Sequence, residues 1–215
     1  RVLRMSVASS NSAMLRLCER LLLPGVGRAA LVQCPRPPPP GAVTQVWRLQ
    51  RLSFSELGAL APLFAVLDTV GGLYQSSLGQ FESFSEHRAF DHAEQGQVVG
   101  VRKERSEEFQ GLAILLPGDP DPQGNRRRVI AFASADSDAS LSALLRLAWG
   151  HAVPDCAPDS PVHGYLPISV CAVISRGAVP GWHRVQPNVE EVVFEWRVGQ
   201  LSGVELPEDA EAPDA

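Results

Sequence analysis

The sequence predicts a mixed α/β fold, an α+β arrangement of helices on one mixed sheet, and three observations carry that expectation. Stretches such as Gln97 to Lys103, Phe109 to Leu116 and Arg127 to Ala133 are rich in β-branched or apolar residues and bounded by turn-formers, the signature of strands. Between and around them, Leu57, Leu60, Leu63, Phe64 and Leu67, and again Leu141, Leu144, Leu145, Leu147 and Ala148, recur at the 3.6-residue spacing of a helix face. The chain has 215 residues, of which 45% are hydrophobic, enough for a packed core.

Charge and cysteine usage narrow the function. A formal net charge of −5 and a pI near 5.5 oppose nucleic acid as a partner, because phosphate binding needs a basic footprint. Lys103 is the only lysine among 19 basic residues, which reads as coding bias, since Arg and Lys solvate an open surface alike. Cys18, Cys34, Cys156 and Cys171 are far apart and none stands in a C-x-x-C pair, so neither a metal site nor a disulfide framework is expected. Reduced thiols in the cytoplasm are the simplest account. No apolar run reaches the ~18 to 20 residues of a membrane helix, so no membrane is expected as a partner.

In chain order, the opening Arg1 to Arg20 reads as a strand running into a helix, ended by Pro24 and Gly25, and Arg28 to Cys34 reads as a short strand. PRPPPPG at Pro35 to Gly41 favours extended polyproline II and suits a stiff linker. Val43 to Leu52 suits a strand, and Ser55 is placed to cap the helix through Leu67. A loop or short helix through Tyr74, Phe81 and Phe84 leads to a polar segment, Glu86 to Gln95, with His87, Arg88, Asp91 and His92. Three strands follow, with Pro117 to Asn125 as a loop between the last two. Ser137 or Asp138 starts the helix through His151, Gly164 to Ile174 suits a buried strand, and Val189 to Val198 is a last strand. The acidic tail from Glu205 has the composition of a disordered segment.

The opening stretch also carries a motif. Asn11, Met14, Leu15, Leu17, Cys18, Glu19 and Arg20 line up with N-x-x-A-x-x-L-Y-E-K, in which a strand ends near an Asn, and so the stretch resembles the GNAT acetyltransferases. Met14 stands at the usual Ala, Cys18 at the usual Tyr and Arg20 at the usual Lys. The later order, β-α then β-β-β-α-β and a final β, is that of a whole GNAT domain. The resemblance therefore implies a truncated first GNAT domain, residues 1–34, then a proline-rich linker, 35–42, a divergent second GNAT-like domain, 43–199, and a tail, 200–215. The histidine N-acetyltransferase-like proteins of vertebrates are similar to this plan.

That resemblance implies acetyl transfer from acetyl-CoA to a small-molecule amine, an amino acid such as histidine. Asn11 would be cofactor-binding, against the plain reading that it caps the helix after it. Cys18 would stand where the family's Tyr protonates the departing thiolate, against the plain reading of a packed helix cysteine. In the second domain the turn Ser134 to Ser140 lacks the glycines that bring backbone close to a pyrophosphate, and it carries Asp136 and Asp138 where an anion would sit. The chain by itself is therefore expected to be inactive and to hold acetyl-CoA poorly. The alternative is a non-catalytic scaffold or regulatory module. His87, Asp91 and His92 are a candidate base and orienter or metal set. An exposed Val2 to Val7 edge predicts docking onto the second domain or self-association.

Overall fold

The computed structural model describes residues 2–38, 46–58, 73–75, 81–83, 86–120, 122–186 and 190–197. The strands are β1 (Val2–Ala8), β2 (Gly25–Cys34), β3 (Trp47–Arg51), β4 (Leu73–Gln75), β5 (Phe81–Ser83), β6 (Val98–Lys103), β7 (Phe109–Pro120), β8 (Arg126–Ala135), β9 (Val162–Pro167), β10 (His183–Arg184) and β11 (Glu191–Arg197). The helices are α1 (Ser12–Arg20), α2 (Phe54–Leu57), α3 (Glu86–Glu94), α4 (Asp138–Trp149) and α5 (Ile168–Ser175).

A nine-stranded mixed sheet runs β1-β11-β2-β9-β8-β7-β6-β3, with β10 paired to β2, and β4 and β5 form a separate hairpin. The β8–β9 pair is parallel, as a β-α-β crossover through α4 requires, and the other pairings are antiparallel. Strands alternate their side chains between two cores. Val99, Val101, Ala113, Leu115 and Ile130 join α4 and α5 on one face, through Leu141, Leu144, Leu145, Cys171 and Ile174. Val98, Leu112, Ile114 and Phe132 meet Ala89 and Ala93 of α3 and Tyr74 of the hairpin on the other. A smaller cluster of Val7, Cys18 and Phe194 seats α1 on β1 and β11.

The expected mixed α/β sheet is present, and the three central strand expectations fall on β6, β7 and β8. Four local readings are corrected or refined. Gly164 to Ile174 is two elements: the strand stops at Pro167 and Ile168–Ser175 is helical, its buried residues facing the α4 core. A short, continuously apolar run has no periodicity to separate strand from helix. Glu86 to Gln95, read only as a polar segment, is mostly the helix α3. Ser53, not Ser55, caps α2, because Glu56 three residues on returns its carboxylate to the Ser53 amide at 2.8 Å. The loop expected from Pro117 begins later, since β7 continues to Pro120. The body of the helix read through Leu67, like the tail, lies outside the described residues.

Residues 2–34 lie within the same sheet as the rest. β2 is interior, between β11 and β9, and β1 is at one end of the sheet order.

Candidate functional site

The strand pair β8–β9 opens like a wedge. Its parallel ladder is confined to Arg128↔Val162 and Val129↔His163. Just beyond, the partner register of β7 with β8 jumps from Leu115↔Ile130 to Ile114↔Phe132, so Ala131 is an extra residue in β8. A bulge bends its strand and raises the local twist, and here it coincides with the end of the β8–β9 ladder. Gly164 sits at the apex: a Cβ on it would stand 2.1 Å from the Ile130 carbonyl oxygen, so only glycine lets the strands approach this closely. The β4–β5 hairpin packs against both β8 and β9 on one face, and α4 starts at the open end of β8.

The α4 N-terminus is capped in part by its own residues. Ser137 is the N-cap, its hydroxyl accepting from the Ser140 amide at 3.3 Å, while the Ser137 amide donates to Ser140 Oγ at 3.1 Å. Ser140, fully buried, donates to Asp136 Oδ1 at 2.5 Å, and Gln110 Nε2 donates to Asp136 Oδ2 at 3.3 Å. Asp138 meets Arg176 at 2.6 Å. Residues 134–140 include none of positive φ, so the backbone does not curl into an anion-holding nest.

The opposite end of α4 is held by a buried arginine that sequence reading passed over. Arg128, 2% exposed, donates from its guanidinium to the Trp149 carbonyl at the last residue of α4 and to the Ser160 carbonyl, with Nε also 3.2 Å from Ser160 Oγ. Its Cζ stands 4.7 Å from the centre of the Trp149 ring. Burial pulls its pKa down from the usual value, and the carbonyls and ring compensate the charge locally.

Asn11 caps α1, its Oδ1 accepting from the Met14 amide at 3.2 Å, and is exposed. Cys18 is fully buried against Val7 and Phe194, and that burial pushes its thiol pKa up. The structure does not bring His87, Asp91 and His92 together as one site. Asp91 lies 3.9 Å from Arg88 one helical turn away, His87 is exposed, and His92 bridges Tyr74 Oη and Gln97, its Nδ1 2.6 Å from Gln97 Oε1. Among the described residues no group of His, Cys, Asp and Glu is disposed to hold a metal ion. The relay Tyr74–His92–Gln97 was not legible, because the hairpin that delivers Tyr74 has no strong local signal.

No family model and no curated protein matches the chain. Among solved structures, the GCN5-related N-acetyltransferase from Sphaerobacter thermophilus is similar at a TM-score of 0.50 and 13% identity, over 91% of this chain and 59% of that one. A GCN5-related N-acetyltransferase from Kribbella flavida gives a TM-score of 0.49 and 11% identity, over 90% of this chain and 42% of that one. The chain thus spans about three fifths of the first structure's length, and at this identity the likeness is one of fold.

Proposed function

We propose, from a chain with the fold of the GCN5-related N-acetyltransferases, that it is the cofactor-free lobe of an N-acetyltransferase. The whole protein would move an acetyl group from acetyl-CoA to the amine of a small amino acid such as histidine, in the cytoplasm. The observation that carries the reading is the α4 N-terminus. An anion held there would need free amides and a close backbone, yet the Ser137 and Ser140 amides are engaged with the two serine hydroxyls, and Asp136 and Asp138 place negative charge beside them. These residues do not fit a pyrophosphate.

The two parallel strands are paired only through Val129 and His163, and the gap beyond them is the part of the fold this reading gives to a ligand. Such a gap suits the amide-bearing arm of a coenzyme, but without a phosphate cradle it supplies only part of a site. In this reading Asn11 retains its amide nitrogen for a ligand from another lobe. Burial against Val7 and Phe194 raises the Cys18 thiol pKa, and we read this residue as packing rather than as the general acid. Calorimetric titration of the chain with acetyl-CoA is expected to show no micromolar binding. Binding in that range, abolished by crowding the wedge at Ala133, would overturn the proposal.

The second reading, a non-catalytic scaffold, is favoured by the continuity of the sheet: residues 2–34 contribute β1 and β2 to it, and β1 stands at its end, where a further strand or a second copy would add. Acetyl transfer by the whole protein to free histidine, measured with and without substitutions in its other part, separates the two readings.

A further inference from the structure

The apolar stripe of α1 is wider than the sheet beneath it. Met14, Leu17, Cys18 and Leu21 recur at i, i+3, i+4 and i+7, but only Cys18 is buried; Met14 is 37% and Leu17 46% exposed. The sheet order ends at β1, so the outer half of that stripe has no strand to rest on. Met5 on β1 is 37% exposed, and Leu22, just after the helix with φ of 51°, is 80% exposed. Met5, Met14, Leu17 and Leu22 are four of the six exposed large apolar side chains among the described residues.

What stands nearest is the chain's own end. β11 runs antiparallel to β1, and Arg197 pairs with Val2. Two residues before it, the Glu195 amide donates to the Pro24 carbonyl at 3.0 Å, so the described end of β11 lies beside the loop that carries Leu22. Their sequence, VGQLSGVELPEDAEAPDA, puts Leu201, Val204 and Leu206 ahead of and among Glu205, Glu208, Asp209, Glu211 and Asp214, with no basic residue. Residues 1–34, by contrast, hold five arginines against the single Glu19, and Arg16 and Arg20 are exposed on α1.

We propose that residues 200–215 dock on α1 and the Leu21–Pro24 loop of the same chain. Leu201, Val204 and Leu206 cover Met14, Leu17 and Leu22, and the acidic residues face Arg16 and Arg20. Four residues of extended chain reach about 13 Å, enough to carry Leu201 from Arg197 past the loop. The device closes the apolar end of the sheet from within, and its electrostatic part weakens with salt.

Hydrogen exchange on the full chain tests it, because substitutions in the tail leave the sheet and its cores untouched. In L201S/V204S/L206S, and separately in R16E/R20E, amides of residues 14–24 are expected to exchange about tenfold faster than in the unsubstituted chain, while those of β7 and β8 stay unchanged. Raised salt is expected to move the unsubstituted chain part of the way. Equal exchange in all three chains would overturn the proposal, as would protection of residues 14–24 that grows with protein concentration alongside a dimer in sedimentation, the mark of a second copy on the same face.

Discussion

The two ends of α4 are both capped, by different means. At its N-terminus Ser137, Ser140 and Asp136 bond one another across three or four residues, and Asp138 pairs outward with Arg176. At its C-terminus Arg128 reaches the Trp149 carbonyl from 21 residues away and the Ser160 carbonyl from 32, inside the core. Both arrangements complement the helix dipole, with acid at the amino end and a guanidinium at the carboxyl end. The difference lies in what each end fastens. The serine cap holds only the first turn, whereas Arg128 ties β8, α4 and the approach to β9 into one unit at the closed end of the wedge. The stiff end of the β8–β9 pair is therefore the end far from the 134–140 turn.

The largest effect should come from the buried end. Arg128→Ala would leave the Trp149 and Ser160 carbonyls without their donor and remove the contact with the Trp149 ring, a loss of about 3–5 kcal/mol in urea unfolding. A cost no greater than that of losing the serine cap would break the comparison. Next is Gly164→Ala, whose Cβ would meet backbone that cannot swing aside; about 2–3 kcal/mol is expected, with faster exchange at Arg128 to Ile130. Ser137→Ala should cost only about 1 kcal/mol, the usual worth of an N-cap, and should confine its exchange effect to the first turn of α4.

A further effect appears only at alkaline pH and reports on the same core. Burial pushes the Cys34 and Cys171 thiols up to about 11, from 9.0 when exposed, and the Trp149 indole donates to the Cys34 carbonyl at 3.3 Å beside Arg128. Groups with pKa values raised by folding leave stability intact below the unfolded value and erode it as pH climbs toward the folded one. Urea midpoints should hold up to about pH 9 and fall between 9 and 11. In C34A/C171A that fall should flatten, and an unchanged profile would point to other groups.

Several features were legible because they rest on local physics. Runs rich in β-branched or apolar residues between turn-formers announced β6, β7 and β8, helical spacing announced α4, and a serine ahead of that spacing announced its cap. The acidic, glycine-free character of the 134–140 turn was equally plain, since it is a property of neighbouring residues. The helical state of Ile168–Ser175 was decided by the buried surface it meets, because an unbroken apolar run satisfies either geometry. Residues 2–34 joined the main sheet through pairings of β1 and β2 with β11 and β9, from as far along the chain as Val2↔Arg197 and no nearer than Cys34↔Val162, which no local pattern encodes. Arg128 read as one arginine in RRR, and only tertiary structure turned it inward, where two carbonyls and an indole make its charge tolerable. Composition and periodicity thus determined the class of fold and the character of its central turn, while long-range contacts, set by burial and by the need to pair every buried polar group, decided the sheet order, the wedge and its stiff end.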